Sequence, residues 1–577
     1  MRKLLGPLLL RLLLAACAWP VSAQTAPPDS RAEQAPVVLH STTRLVQINV
    51  IVHNKKGGPV TGLKREDFTV LDQGKEQQIA AFSANSAAPQ DTASIPPLAP
   101  NVFSNRGGTA AANPGSVTVI LFDALNTAIQ DQFYARQQVL KFLRQLQPQD
   151  HVAIYVLTTK ITVLNEFTQD ATSLLQAIQK FGGYSSPLQD AANPDAKPLD
   201  QSIFLTNNPE AEVMASRLRD FLNAADGKFS DFANINRAET TTGAIEAIAN
   251  HVARIPGRKN LVWVSASFPI SIGFDGETLS QPGREQRTFT EDIEHATRAL
   301  NQANMAIYPI DARGLMVSPH YSATNNSPFS TRSRARDLGP DQGNFDTMIV
   351  LADRTGGKAS YNTNDIEGAV QRAIADGQYT YTLGFYPTHG KWDGKFHELK
   401  VHTNEKGLTL RHRKGYFALP DPPSGPEENK AALDAAIGSP VEWTNLDLEV
   451  TLKAFDPAAH TLDVQVGLDT HELSLVPKDG RWSDTLYVFF GQLGAGDKTI
   501  TSEKETFGMN LKPETYDKLM KNGTKFSGRL VLSPDVVNLR VIAQDTGSGS
   551  IGTLTIPIKK YLAGAVTGGN SSLSQKP

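Results

Sequence analysis

An apolar run, Val117 to Phe122, ends in Asp123-Ala124-Leu125-Asn126-Thr127. A carboxylate followed closely by side-chain oxygens on a tight loop can hold a hard divalent cation such as Mg2+, with water or a partner's carboxylate completing the octahedron. Asp123 has a second reading, in which it accepts backbone N–H bonds where a strand turns into a helix. Asp311 ends the run Ala306 to Ile310 in the same way, and there the expectation is that it caps the turn Ala312-Arg313-Gly314. His397-Glu398 and His471-Glu472 begin like the helical zinc-protease pattern. Val401 and Leu475 stand where the second histidine is needed, and both pairs sit in strand-like alternation. The sequence has no Gly-x-Ser-x-Gly elbow and no Walker-type phosphate loop, and its single cysteine is Cys17. No catalytic residue is assigned.

In open α/β sheets ligands gather outside the carboxyl ends of the strands, which is where Asp123 falls. The spacing here resembles the metal-ion-dependent adhesion site of the von Willebrand factor A domain, Asp-x-Ser-x-Ser with a Thr from a second loop and an Asp from a third. The resemblance implies Asp123 and Thr127 as ligands. From Thr240-Thr241-Thr242 it implies Thr242, whose spacing to Ala247-Ile248 fits best. It also implies weak Mg2+ binding, because Leu125 replaces the middle serine and Ser265-Ala266-Ser267 replaces the third-loop acid. With a dissociation constant of about 1 mM, about 10 mM Mg2+ would stabilise the fold by roughly 1.4 kcal/mol. As a surface-loop carboxylate, Asp123 is expected to be dispensable to folding.

The elements that must position these residues follow from hydrophobic periodicity. Val117 to Phe122, Val152 to Leu157, Leu261 to Val264 and Ala306 to Ile310 are uninterrupted apolar runs, as strands buried on both faces require. Helical stripes alternate with them at Val139, Leu140, Leu143 and Leu146, at Leu174, Leu175 and Ile178, at Ile293, Ala296 and Leu300, and at Ile366, Ala369, Val370, Ala373 and Ile374. The alternation predicts a central α/β domain with a doubly wound, mostly parallel sheet. A small N-terminal β module and a C-terminal β-sandwich flank it. The expected divisions are a signal peptide at 1–23, the β module at 37–86, a linker at 87–115, and the α/β domain with a β extension at 116–420. A second linker at 421–437, the sandwich at 438–560 and a disordered tail at 561–577 complete the chain. Pro-, Asn-, Ser- or Gly-rich stretches near 183–208, 270–289 and 316–345 read as surface insertions.

A chain of 577 residues exceeds a single hydrophobic core. With 40% hydrophobic and 20% charged residues and a net charge of −3, it has globular composition and no global basic field, which argues against nucleic acid as a partner. Arg2 and Lys3 precede the apolar run Leu4 to Ala18, followed by the small-residue site Val21-Ser22-Ala23, the pattern of a secretory leader. Leu14-Ala15-Ala16-Cys17 offers a competing route, acylation at Cys17 as in a bacterial lipoprotein. No apolar stretch is long enough for a transmembrane helix. The expected location is periplasmic or extracellular, with an outer-membrane lipoprotein as the variant.

A narrower resemblance spans about residues 40 to 420. It is carried by Asp67-Phe68, Pro256-Gly257-Arg258-Lys259-Asn260-Leu261, Tyr308-Pro309-Ile310-Asp311-Ala312-Arg313-Gly314, Leu351-Ala352 with Thr355-Gly356-Gly357, and Tyr381-Thr382-Leu383-Gly384-Phe385 leading to Arg413-Lys414-Gly415-Tyr416-Phe417. In this order the motifs resemble the exported von Willebrand factor A-related family described from acidobacteria, whose adhesion site is degenerate. The resemblance implies a binding domain of unknown ligand, and the leading expectation is an exported, non-enzymatic binding protein that engages a protein or cell-surface macromolecule. The alternatives are an exported hydrolase with an unrecognised carboxylate pair, which needs a deep pocket of converging acids at the carboxyl end of the sheet, and an envelope scaffold, which needs a large apolar patch elsewhere than on that face.

Overall fold

The computed structural model describes residues 45–86, 98–105, 116–192, 209–255, 257–266, 268, 271–272, 286–315, 340–389, 392–418, 426–559 and 561–562. The expectations for the leader, Cys17, Ser267 and the tail from residue 563 on lie outside these residues, while Tyr561 and Leu562 pack against the C-terminal core, which corrects the expected start of the tail.

β1 (Val46–His53) and β4 (Ile79–Ser86) pair antiparallel with the two edges of β13 (Tyr379–Phe385), and β15 (Thr409–Arg411) lies on the far side of β1. In a second sheet β2 (Phe68–Asp72) lies between β3 (Lys75–Gln77) and β14 (Phe396–Thr403), with β16 (Gly415–Phe417) beyond β14. Ile48, Val50, Val70, Tyr381, Leu383, Phe385 and Leu399 share one core between these sheets. Residues 37–86 are therefore not a module apart from the β extension, which corrects the expected division. β1 and β2 go to different sheets, and each completes its pairing only with strands that follow the α/β domain. A few strands with one apolar face cannot bury that face alone.

The central sheet has the order β12-β9-β6-β7-β8, with β6 (Ser116–Asp123), β7 (His151–Leu157), β8 (Ile161–Thr168), β9 (Arg258–Ser265) and β12 (Met305–Asp311). β12, β9, β6 and β7 run parallel and β8 is an antiparallel edge, so the sheet is mixed. Val119 and Leu121 of β6 face a core with α4 (Pro209–His251), α5 (Thr290–Gln302) and α6 (Pro340–Thr355). Ile120 and Phe122 face one with α1 (Ile129–Leu143), α2 (Ala171–Lys180) and α7 (Ile366–Gln378). Cover on both faces explains why these strands are apolar without alternation. From β6 the chain winds outward first through β7 and β8, then through β9 and β12, so the carboxyl end of β6 lies where the strand order reverses. The short helix α3 (Pro187–Ala192) packs on α4, and the small strands β10 (Ser271–Ile272) and β11 (Arg287–Thr288) pair with each other.

The C-terminal strands form two sheets over one core containing Leu448, Val464, Leu486, Val488 and Val541. One has the order β22-β18-β17-β5, with β5 (Val102–Ser104), β17 (Leu448–Asp456), β18 (Thr461–Leu468) and β22 (Thr524–Val531). The other comprises β19 (Val476–Lys478), β20 (Arg481–Leu493), β23 (Asn538–Asp545) and β24 (Ile551–Ile556), with β21 (Thr499–Leu511) also on β20. Two expected linkers need correction. The stretch 87–115 supplies β5, whose register with β17 pairs Phe103 with Val450. The stretch 421–437 contains most of α8 (Pro426–Gly438), whose Ala436 packs with Trp443 and Ile542. A further helix, α9 (Pro513–Asn522), stacks Tyr516 on Trp482.

Candidate functional site

Asp123 ends β6 with 1% of its surface exposed. Its Oδ2 accepts from Asn126 Nδ2 at 2.7 Å, Ser265 Oγ at 2.8 Å and Trp263 Nε1 at 3.0 Å, and its Oδ1 accepts from the Asn126 backbone N–H at 3.0 Å. All four partners are donors, which matches an ionised carboxylate. Burial raises its pKa, and the hydrogen bonds from Asn126, Ser265 and Trp263 oppose that rise.

The compensating charge is Arg237 of α4, itself only 8% exposed. Its Nε donates to Asn126 Oδ1 at 3.0 Å, so the Asn126 side chain bridges guanidinium and carboxylate. Burial lowers the Arg237 pKa, and the nearby Asp123 restores part of it. Asn126 Nδ2 also reaches Thr241 Oγ1 at 2.7 Å. The loop is held further by Gln132 of α1, whose Nε2 donates to the carbonyls of Thr127 at 2.6 Å and Tyr184 at 2.8 Å.

These contacts bear on the three expected ligands. Thr127 lies near Asp123 but accepts from the Ala266 N–H at 3.1 Å, tying the loop after β6 to the loop after β9. Thr242 is not in a loop. Thr240 to Thr242 lie inside α4, where Thr241 and Thr242 satisfy their hydroxyls on the carbonyls of Arg237 and Ala238, each four residues back, at 2.7 and 3.0 Å. The threonine that meets the loop is Thr241, through Asn126, whereas the Thr242 hydroxyl is taken up by the carbonyls of Ala238 and Glu239. Leu125 is fully buried in the core of the α4 face. The residues present do not fit Mg2+. Amide, indole and hydroxyl donors occupy the carboxylate, and a buried guanidinium already balances its charge. Asn126, Arg237 and Trp263 went unassigned in the sequence because nothing local marks them. The one available cue is the spacing of Arg237 and Thr241, which share a helix face at i, i+4.

Asp311 is tied to its own turn, accepting from Arg313 N at 3.1 Å and Arg313 Nε at 2.9 Å. The cleft beside Asp123, lined by Phe122, Thr127, Gln132, Phe181 and Ala312 among others, has room for about one water.

No protein-family model matches the sequence, and no curated protein matches it. Among solved structures, an aerotolerance-related membrane protein from Bacteroides fragilis is 13% identical with a TM-score of 0.23, covering 45% of this chain and 98% of its own. BatB from Bacteroides thetaiotaomicron is 12% identical with a TM-score of 0.23, covering 46% and 98%. A von Willebrand factor type A protein from Catenulispora acidiphila is 8% identical with a TM-score of 0.23, covering 83% and 74%.

Proposed function

We propose that this chain is an exported, non-enzymatic binding protein that engages a protein partner through the carboxyl-end side of its α/β domain. The observation that carries this reading is the first half of α4. Thr241 lies beside the loop at the end of β6, so α4 before Arg237 runs about 40 Å beyond the sheet at about 1.5 Å per residue. Along it Met214, Leu218, Phe221, Ala225, Phe229 and Phe232 recur at helical spacing on one face. The large ones are 74%, 46%, 68%, 58% and 56% exposed in that order. Three half-exposed phenylalanines with Met214 and Leu218 present on the order of 500 Å2 of apolar surface, within the range of patches that mark interaction sites. Arg217 and Lys228 border one edge of the stripe, so the fitting partner is a protein with an apolar groove flanked on that side by carboxylates.

With amide, indole and hydroxyl donors on Asp123, the proposed contact needs side chains and no bridging cation. The leader-like N-terminus and the ordered motifs that resemble those of the exported von Willebrand factor A-related family support export to the periplasm or cell surface. The test is capture from the native envelope, identification of the captured protein and titration of the purified pair. Phe221→Ser with Phe229→Ser should weaken that pair by tenfold or more, about 1.4 kcal/mol, while the melting midpoint holds. Unchanged affinity in the double variant would overturn the assignment. Concentration-dependent self-association lost in the same variant would instead identify the partner as a second copy.

A further inference from the structure

The face shared by β2, β14 and β16 gathers a second set of side chains. Asp72 ends β2 and is buried. His397 lies on β14, two residues from Leu399, which pairs with Asp72, and directly opposite Tyr416 on β16. Opposed residues of antiparallel strands share a face, so the sheet turns Asp72, His397 and Tyr416 to one side. The loop before β14 adds His389. Tyr416 donates its hydroxyl to Asp72 Oδ2 at 2.9 Å and lies 2.9 Å from His389 Nε2. His389 Nε2 stands 3.7 Å from Asp72 Oδ2, and His397 Nδ1 stands 3.6 Å from Asp72 Oδ1.

Two of these atoms have no hydrogen-bond partner. Asp72 Oδ1 and His397 Nδ1 are buried and face each other at a separation too long for a hydrogen bond. Leaving a buried carboxylate oxygen and an imidazole nitrogen unmatched is costly in a folded protein. The spacing itself suggests what resolves it. Ligands about 2.0 to 2.1 Å from a tetrahedral zinc ion stand about 3.3 to 3.5 Å from one another, and each imidazole lies a few tenths of an ångström beyond that from one of the two Asp72 oxygens, Oδ2 for His389 and Oδ1 for His397, so the carboxylate faces both. One ligand atom from each of Asp72, His389 and His397 can be chosen with all three within 4.8 Å of one another.

We infer that Asp72, His389 and His397 form a structural site for a zinc-type divalent cation, with the Tyr416 oxygen at or beside the fourth position. Two imidazoles and one carboxylate suit zinc, whereas Mg2+ and Ca2+ take oxygen ligands. The surroundings are those of a supported metal site. Asp393 Oδ1 lies 3.6 Å from His397 Nε2, the nitrogen turned away from Asp72, where a carboxylate orients a metal-bound imidazole. The His389 and His397 rings lie 4.4 Å apart, and Trp392 meets His389 edge-on with the ring centroids 5.8 Å apart. The ion would fasten β2 to β14 and β16 across 344 residues of sequence between Asp72 and Tyr416.

Zinc titration into chelator-stripped full chain, followed by calorimetry and melting, reads this directly. One equivalent should bind and raise the melting midpoint, and cobalt in its place should give the intense visible bands of a tetrahedral N/O site. His389 sits in a loop, so His389→Gln should fold and weaken zinc binding by about 100-fold or more, with the cobalt bands lost. Asp72→Asn should do the same wherever its circular dichroism shows a folded protein. No uptake by the folded wild type would overturn the site. Zinc binding unchanged in His389→Gln would also overturn it, placing the ion elsewhere.

Discussion

Asn126 Nδ2 donates to Asp123 Oδ2 at 2.7 Å, on the same carboxylate oxygen that receives Trp263 and Ser265, while the Asn126 oxygen takes the Arg237 guanidinium. The loop thus holds an internal ion pair relayed through one amide. A residue that the sequence presents as a loop carboxylate acts in the fold as a buried anchor between β6, β9 and α4.

Asp123→Ala should therefore destabilise the protein by about 3–5 kcal/mol in urea unfolding, because it strands a buried guanidinium and three side-chain donors. Replacing Arg237 by Met in the same chain should recover part of that loss, so the double-mutant cycle should show strong coupling. Additive costs would mean that Arg237 does not balance the carboxylate. The expectation that Asp123 is dispensable to folding is replaced by this one.

Mg2+ provides a separate check. If the donors fill the site as described, about 10 mM Mg2+ added to chelator-stripped protein should leave the midpoint unchanged, against the roughly 1.4 kcal/mol gain expected of a millimolar site. A gain of that size, lost in Asp123→Ala, would restore the cation to this loop.

Asp484 and Asp545 give a pH prediction. Asp545 is fully buried and accepts from Ser474 N at 2.9 Å, Gly547 N at 2.8 Å and Ser548 Oγ at 2.7 Å. Burial, then the charge on Asp545, pushes Asp484 from its ordinary value of 3.8 up to about 7. A carboxyl with a raised folded pKa contributes its full stability below the unfolded value and loses it as pH climbs through the folded one. Asp484→Asn should therefore match the wild type near pH 4, gain on it steadily, and level off above about pH 7. Because Asp484 is partly exposed, the plateau should be only about 1–2 kcal/mol. A flat difference across that range would exclude a raised pKa at Asp484.

What the sequence made legible follows burial. The runs at Val117, Val152, Leu261 and Ala306 mark β6, β7, β9 and β12 because those strands are covered on both faces. β8 escaped because it is a half-exposed edge. Thr240 to Thr242 read as a loop because threonine favours caps and turns, whereas in α4 two of their hydroxyls close on the preceding turn. The histidines failed as a helical pair because the partner of His397 is not four residues on. It comes from His389 in the preceding loop and from Asp72 on another strand, a juxtaposition that only strand pairing creates.

Strand pairing also predicts the outcome of cutting the chain. Cleavage within 87–97 should leave residues 45–86 bound to the remainder through gel filtration. β1 and β4 hold both edges of β13, and the Tyr381 hydroxyl donates to Val60 O at 3.0 Å and accepts from Leu63 N at 3.1 Å. A separate module would dissociate. Tyr381→Phe, which removes both hydrogen bonds, should cost about 1–3 kcal/mol.

The last prediction rests on a pair of glycines with opposite surroundings. Gly356 has φ +80°, and the following Gly357 lies so close to β12 that an added Cβ would sit 1.8 Å from the Ile307 carbonyl oxygen. Backbone cannot retreat there, because Ser360 N donates to Pro309 O and Asp311 N to Ser360 O, both at 2.8 Å, fixing this segment along the strand. Gly357→Ala should push the segment off β12, breaking those bonds and costing about 3 kcal/mol or more. Gly243 lies inside α4 with nothing within 4 Å of an added Cβ. Gly243→Ala should therefore stabilise by about 0.5–1 kcal/mol, since alanine has less backbone freedom to lose in a helix. Urea midpoints of the two variants should move in opposite directions. A destabilised Gly243→Ala would mean that α4 is not continuous through Thr240 to Thr242, and that the loop expected there exists after all.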